Sequence, residues 1–164
     1  ARGFQMTVLY HDTVRREDLE RQHGYRFVTL DTLLRESDFV SLHTALTPET
    51  RGMIGESELA KMKPTAFLIN TSRGPVVDER ALIAALQAGR PAGAGLDVFE
   101  TEPIDLESPL LKMETVVALP HVGSATEATR QAMVDLATDN VLAVLQGKPP
   151  LTPVNPEVLS RLRR

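Results

Sequence analysis

The chain has 164 residues and a mass of 18.0 kDa, with 42% hydrophobic and 24% charged residues. This composition excludes a disordered tail, and no apolar run reaches the roughly 20 residues that a membrane helix needs. A net charge of −4 and a pI near 5.6 argue against nucleic acid as a partner. The absence of cysteine excludes disulfides, thiolate metal sites and cysteine nucleophiles, and it favours a cytoplasmic location.

Strand-like and helix-like segments alternate along the first half of the chain. Short apolar runs rich in β-branched and aromatic residues predict strands, and polar stretches of helix formers predict helices. The predicted strands cover residues 6–10, 26–29 and 39–42, and the predicted helices cover residues 14–22, 30–35 and 56–62. Gly24 ends the first of these helices, and Pro48 and Pro64 punctuate the later part.

The alternation continues through the second half. Residues 66–70 predict a buried strand, and a tight turn at 72–75 leads to a helix with Asp78 as its N-cap and Gly89 at its end. Residues 92–98 and 115–119 are apolar enough to be strands buried on both faces. Strands alternating with helices in this way predict an α/β fold with a doubly wound parallel sheet.

The last segment differs from the rest. Apolar residues recur at helical spacing from residue 125 to 145, which predicts one long amphipathic helix ended by Gly147. Residues 148–164 are rich in proline, and we expect them to be extended. The chain begins without a methionine, and we expect it to be the back part of a longer protein.

In an open parallel sheet, ligands bind just beyond the carboxyl ends of the strands. Polar residues follow five of the predicted strands and are therefore expected at one edge. They are Asp12, His43, Thr44, Thr71, Ser72, Arg73, Asp97, Glu100, Glu102 and His121.

Asp12 bears on the choice of cofactor. An acid at the end of an early strand of a dinucleotide fold accepts hydrogen bonds from the adenosine ribose and repels a 2′-phosphate, so Asp12 favours NAD. Two alternatives stay open at this point. Asp12 or Thr13 could simply cap the next helix, and Arg15 and Arg16 could instead accommodate NADP.

Three further residues suit acid and base chemistry on a small acid. Histidine is the side chain best suited to proton transfer at neutral pH, which makes His121 a candidate acid, and Glu102 on the preceding loop could orient it and stabilise its protonated form. The planar guanidinium of Arg73 could bind a carboxylate at two points. Each of them could also be an ordinary surface residue, and it is their expected meeting at one edge of the sheet that favours a site.

Two other patterns do not predict a site. Gly93-Ala94-Gly95 resembles the start of a phosphate-binding fingerprint, but Val98 stands at the third glycine position and the segment enters a strand. We expect these glycines to allow close packing of that strand. The 4 histidines have no metal-ligand spacing, so no metal is predicted.

Three longer stretches identify the family that the chain resembles. They are residues 62–78 with Asn70-Thr71-Ser72-Arg73-Gly74, residues 94–103 with Asp97-Val98-Phe99-Glu100-Thr101-Glu102-Pro103, and residues 120–126 with Pro120-His121-Val122-Gly123-Ser124. With these signatures the chain resembles the D-isomer-specific 2-hydroxyacid dehydrogenases. Within that family it is similar to the glyoxylate/hydroxypyruvate (2-ketogluconate) reductase branch.

The resemblance implies an oxidoreductase that reduces a small 2-oxo acid, such as glyoxylate or hydroxypyruvate, to the D-2-hydroxy acid with NAD, or alternatively with NADP. It implies that Arg73 holds the substrate, that His121 donates the proton and that Glu102 keeps His121 protonated. The cofactor-binding residues that it implies are Asp12, His43, Thr44, Thr71, Ser72, Arg73, Asp97, His121, Gly123 and Ser124.

The resemblance also implies an organisation. Residues 1–121 would form a Rossmann-like nucleotide-binding domain that lacks its first strand and glycine-rich loop. Residues 122–164 would form an interdomain helix and a segment returning to the substrate domain, and the protein would be a homodimer. Two alternatives remain: a non-catalytic NAD-sensing module resembling corepressors of the same fold, or a piece that is inactive in isolation.

Overall fold

The computed structural model describes residues 1–161, and it contains strands and helices that alternate along the chain. The strands are β1 (Leu9–Tyr10), β2 (Arg26–Phe27), β3 (Phe39–Leu42), β4 (Phe67–Asn70), β5 (Gly93–Leu96) and β6 (Val116–Ala118). The helices are α1 (Glu17–His23), α2 (Leu30–Glu36), α3 (Glu56–Leu59), α4 (Glu79–Gln87) and α5 (Glu127–Leu145). Short 3-10 turns lie at Arg2–Phe4, Gly74–Val76, Pro109–Lys112 and Pro156–Arg161.

The strands form two parallel sheets. β1 pairs with β2, and β3, β4, β5 and β6 lie side by side in that order. The parallel α/β architecture that the sequence predicts is confirmed, but the predicted single sheet is divided in two. Because all strands of the larger sheet are parallel, the loops that follow them meet at one edge.

A cavity of about 760 Å³ lies between the two sheets. One side is lined by Met6, Thr7 and Val8, and the other by residues 37–41 at the start of β3. β1 is shorter than predicted: residues 6–8 lie outside the strand and line this space, and the Val8 carbonyl accepts a bond from the Arg26 N–H at 3.0 Å.

The hydrophobic core surrounds the larger sheet. Leu68 of β4 is fully buried, and Leu34, Ile54 and Leu59 pack in the same core. Helix α4 begins as predicted, because the Asp78 side chain accepts a hydrogen bond from the Ala81 N–H at 2.9 Å. Its Leu82 and Leu86 are buried, whereas Ile83 is only partly buried against the core.

Close packing within the sheet explains the Gly93-Ala94-Gly95 run. A side chain at Gly93 would overlap the Thr115 carbonyl at the start of the β6 region, and one at Gly95 would press on Ile69 of β4. The glycines therefore let β5 lie between its two neighbours.

Two burial predictions are wrong. β6 is the edge strand of its sheet, and Val117 is 63% exposed, so this strand is not buried on both faces. Helix α5 has no buried residue, and apolar side chains such as Met133, Val134 and Leu145 are distributed around it instead of forming one stripe. Nor are residues 148–161 simply extended, since Thr152 exchanges two hydrogen bonds with Asn140 of α5, both at 3.0 Å.

The chain separates into two compact units, Ala1–His121 and a second unit that begins at Val122. The first contains both sheets, and the second contains α5. Within residues 1–161, no helix is both long and apolar enough to cross a membrane.

Candidate active site

The turn after β4 is fixed by the buried side chain of Asn70, which is 1% exposed. Its Oδ1 accepts hydrogen bonds from the Ser72 N–H at 3.1 Å and the Ser72 hydroxyl at 2.9 Å. Its Nδ2 donates to the Arg73 carbonyl at 3.1 Å. The side-chain amide of Asn70 thus forms hydrogen bonds with backbone groups of the turn that carries Thr71, Ser72 and Arg73.

Arg73 lies at the outer end of this turn and is exposed. Its Nη1 donates to the Ser72 carbonyl at 2.6 Å, which leaves the other N–H groups of the fork for a further acceptor. The next residue, Gly74, approaches the loop after β5 so closely that an added Cβ would overlap the Phe99 carbonyl. Glycine at this position brings the Arg73 turn against the loop that carries Glu102.

Glu102 and His121 form a direct pair. Glu102 Oε1 accepts from the Phe99 N–H at 3.0 Å, and Oε2 lies 2.7 Å from His121 Nδ1. The hydrogen bond from His121 lowers the pKa of Glu102 despite some desolvation, and the charge of Arg73 adds to the lowering. An ionised carboxylate can only accept, so the imidazole proton is on Nδ1 and Nε2 is the atom that can meet a substrate.

The backbone at His121 has φ = 55°, in the left-handed region that most side chains avoid. Strained positions of this kind concentrate at functional sites.

The remaining polar residues that follow β4 and β5 differ in their exposure to solvent. Thr71 is exposed. Asp97 is 6% exposed and continues the ladder of β5 beyond the strand, donating its N–H to the Asn70 carbonyl at 3.0 Å. Glu100 is exposed, and its N–H donates to Glu79 Oε2 at 3.0 Å.

His43 and Thr44 follow β3 at the same edge. His43 is exposed, with Nε2 2.9 Å from the Ser41 hydroxyl. The Thr44 hydroxyl is buried and has no hydrogen-bond partner among the residues described. Buried hydroxyls are normally satisfied, so a ligand that supplies a partner fits this position.

Asp12 follows β1 on the smaller sheet and is exposed. Its Oδ1 accepts from the Val14 N–H at 3.3 Å and the Thr13 hydroxyl at 3.2 Å, and these bonds lower the pKa of Asp12. Neither Asp12 nor Thr13 caps the next helix, because α1 begins at Glu17 with Arg16 in the N-cap position. The capping alternative is therefore wrong, and both bonds leave Oδ2 for another donor.

Gly123 and Ser124 belong to the unit that begins at Val122. Their assignment to the cofactor site remains a prediction. The structure does bring Arg73, Glu102 and His121 to one edge of the larger sheet.

Three features of the site were missed by sequence reasoning: the amide of Asn70, the glycine contact at Gly74 and the Phe99 N–H. Asn70 was visible as an uncharged polar residue ending an otherwise apolar strand. The other two depend on the approach of two loops that are distant in sequence, and no local pattern predicts them.

Comparison with known sequences identifies the family. The sequence profile of the D-isomer specific 2-hydroxyacid dehydrogenase NAD binding domain matches residues 1–123. The chain belongs to this family. The resemblance inferred from the three signatures is thereby confirmed, as is NAD as the cofactor of this domain.

Individual members of the family are similar over almost all of this chain. A glyoxylate reductase from Korarchaeum cryptofilum is 54% identical over 159 residues, which are 97% of this chain and 48% of that protein. The structure of a glyoxylate reductase from Paecilomyes thermophila superposes with a TM-score of 0.81 and 40% identity, covering 95% of this chain and 47% of the other.

The structure of a D-lactate dehydrogenase with NAD+ from Lactobacillus jensenii gives a TM-score of 0.80 and 30% identity, covering 93% of this chain and 49% of the other. The chain thus spans about half the length of the relatives that it matches.

Proposed function

We propose that the whole protein containing this chain reduces a small 2-oxo acid, of the glyoxylate or hydroxypyruvate type, to the D-2-hydroxy acid. The observation that carries this proposal is the 2.7 Å pair of Glu102 and His121 at the sheet edge where Arg73 also lies. The name of the Korarchaeum cryptofilum relative, a glyoxylate reductase, supports the choice of substrate.

Each of the three side chains has a separate role in the reduction of the ketone. A reduced nicotinamide bound at the strand ends would supply the hydride that the carbonyl carbon of the 2-oxo acid accepts. His121 Nε2 gives a proton to the carbonyl oxygen, on which negative charge develops. Glu102 stabilises the imidazolium through Nδ1, and Arg73 binds the carboxylate of the substrate and adds positive charge beside the oxygen. In the reverse direction neutral His121 accepts the proton.

The residues along the strand ends fit a dinucleotide. Asp12 would accept from the adenosine ribose, and the unpartnered hydroxyl of Thr44 and the buried Asp97 would lie nearer the nicotinamide. His43, Thr71, Ser72, Gly123 and Ser124 complete the proposed cofactor site. The NAD+ in the structure of the Lactobacillus jensenii relative supports this cofactor.

The organisation predicted for residues 1–121 and 122–164 also stays a proposal. The cavity of about 760 Å³ between β1 and β3 supports it, because a further strand in that position would join the two sheets into one. In the doubly wound dinucleotide fold, the central strand precedes the phosphate-binding glycine loop. Homodimerisation and a cytoplasmic location are proposed with it.

The decisive experiment measures NADH oxidation by the whole protein with hydroxypyruvate and glyoxylate. We expect His121→Asn to abolish most of the turnover while the dissociation constant for NADH changes little. Arg73→Lys should raise the KM for the acid about tenfold or more, because a point charge cannot reproduce a two-point contact. Arg90→Lys, at an exposed arginine whose Nη1 donates to the Ala60 carbonyl at 3.0 Å, is the matched control.

Two outcomes would contradict this proposal. Near-normal turnover in His121→Asn would remove His121 as the proton donor. Binding of NADH without turnover of any 2-oxo acid by the unsubstituted protein would favour the NAD-sensing alternative.

A further inference from the structure

Two arginines lie in the segment between Asp12 and α1, and both are engaged by acidic residues of the helix. Arg15 donates through Nε and Nη2 to the two carboxylate oxygens of Glu20, at 2.8 Å each. Arg16 donates in the same way to Asp18, at 2.9 and 2.7 Å. One edge of each guanidinium is therefore committed to a carboxylate of the same chain.

The Arg15–Glu20 pair is the more firmly built of the two. The Tyr10 hydroxyl donates to Glu20 Oε1 at 2.8 Å, and the guanidinium carbon of Arg15 lies 5.8 Å from the centre of the Phe27 ring. The Glu20 side chain is 19% exposed, whereas that of Asp18 is 56% exposed. The two arginine side chains are similarly exposed, at 56% for Arg15 and 52% for Arg16, so the pairs differ in the acidic partner, which neighbours from β1 hold only for Arg15.

We propose that Glu20 contributes to the cofactor preference of this protein by occupying the guanidinium of Arg15, which stands three residues from Asp12 in the sequence. The inference depends on the proposed function, in which Asp12 receives the adenosine ribose. A 2′-phosphate, which distinguishes NADP from NAD, needs a nearby arginine to offset its charge. With Arg15 bound to Glu20 and Arg16 bound to Asp18, a 2′-phosphate beside the Asp12 carboxylate finds both arginine forks of this segment already paired.

This arrangement bears on the two interpretations of Arg15 that the sequence left open. Arg15 is three residues from Asp12 and carries the fork geometry that suits a phosphate. What Arg15 can bind therefore depends on whether Glu20 already occupies its guanidinium. Glu20 is therefore a positioning residue for cofactor specificity that acts through Arg15.

The test measures dissociation constants of NADH and NADPH for the whole protein by calorimetry, so it does not require turnover. The variants are Asp12→Asn and the double variant Asp12→Asn/Glu20→Gln. Glutamine keeps the size of Glu20 and an acceptor for Tyr10, but it cannot accept both N–H groups of Arg15. We expect the double variant to bind NADPH about tenfold more tightly than Asp12→Asn does, with little change for NADH.

Two controls separate this effect from a general change of charge. Asp31→Asn breaks a similar pair in α2, where Asp31 accepts from Arg35 Nε at 2.8 Å, and added to Asp12→Asn it should leave NADPH affinity unchanged. Adding Arg15→Ala to the double variant should remove the gain.

The outcomes are distinct. Equal effects of Glu20→Gln and Asp31→Asn, or a gain that persists without Arg15, would overturn the inference. If the unsubstituted protein bound neither dinucleotide, the proposed function would fail and this inference with it.

Discussion

At the scale of single residues, the site depends on a histidine in an unfavourable backbone conformation. Within residues 1–161, His121 and Gln5 are the residues other than glycine that have a positive φ. Such a conformation costs about 1–3 kcal/mol and persists where the surroundings hold it. The bond to Glu102 is one contact that fixes the imidazole in place. The side chain to which we assign the proton transfer therefore also helps to stabilise the positive φ of His121.

This conformation predicts an unusual order of stability. His121→Gly and His121→Ala both remove the imidazole, but glycine adopts a positive φ without strain. We expect the glycine variant to have a free energy of unfolding about 1 kcal/mol higher than the alanine variant, although alanine is usually the more stable of the two. Urea denaturation of both variants measures the difference, and a more stable alanine variant would contradict the prediction.

At the scale of elements, the candidate site is assembled by two loops that touch. The turn after β4 carries Arg73, the loop after β5 carries Glu102, and Gly74 is the point at which they meet. The apolar runs of β3, β4 and β5 were sufficient to predict these strands, and the order of the motifs was sufficient to predict which loops carry polar residues. The contact between the loops could not be predicted, because it joins backbone atoms that are distant in sequence.

Gly74→Ala tests that contact. The added methyl group would collide with the backbone of Phe99, so we expect a loss of about 1–3 kcal/mol of stability and a larger relative loss of kcat/KM than of NADH affinity. Gly3→Ala is the matched control, since a Cβ there meets nothing within 4 Å. A fully active Gly74→Ala enzyme of normal stability would show that the two loops can separate freely.

The stability of the region formed by β1, α1 and β2 is expected to depend on pH. The hydrogen bonds from Arg15 and then Tyr10 lower the pKa of Glu20 from 4.5 to about 2. Because the folded-state pKa is depressed, the contribution of Glu20 is complete above pH 4.5 and is lost as the pH falls towards 2. The difference in unfolding free energy between the unsubstituted protein and Glu20→Gln should therefore be constant above pH 4.5 and shrink below it. A difference that grew on acidification would have the wrong sign.

At the scale of the whole molecule, composition and alternation were enough to predict a parallel α/β fold, and the three signatures were enough to predict the family. Local patterns did not predict the division into two sheets, because adjacency of strands is not encoded in any one segment; the indication for it was the missing first strand that the family resemblance implies. The exposure of β6 and α5 was also missed for a physical reason. An apolar sequence predicts that a strand or helix face tends to be buried, but it does not identify the element that packs against that face.

The cavity between β1 and β3 has a consequence for how the molecule opens. The smaller sheet has two residues in each strand, and no ladder of hydrogen bonds joins it to the larger sheet within residues 1–161. Regions with few cooperative contacts open locally at lower free energy than the core. In this chain, backbone amides of β1 and β2 should therefore exchange with deuterium long before those of β4 and β5, as two separate kinetic classes resolved by mass spectrometry of proteolytic peptides.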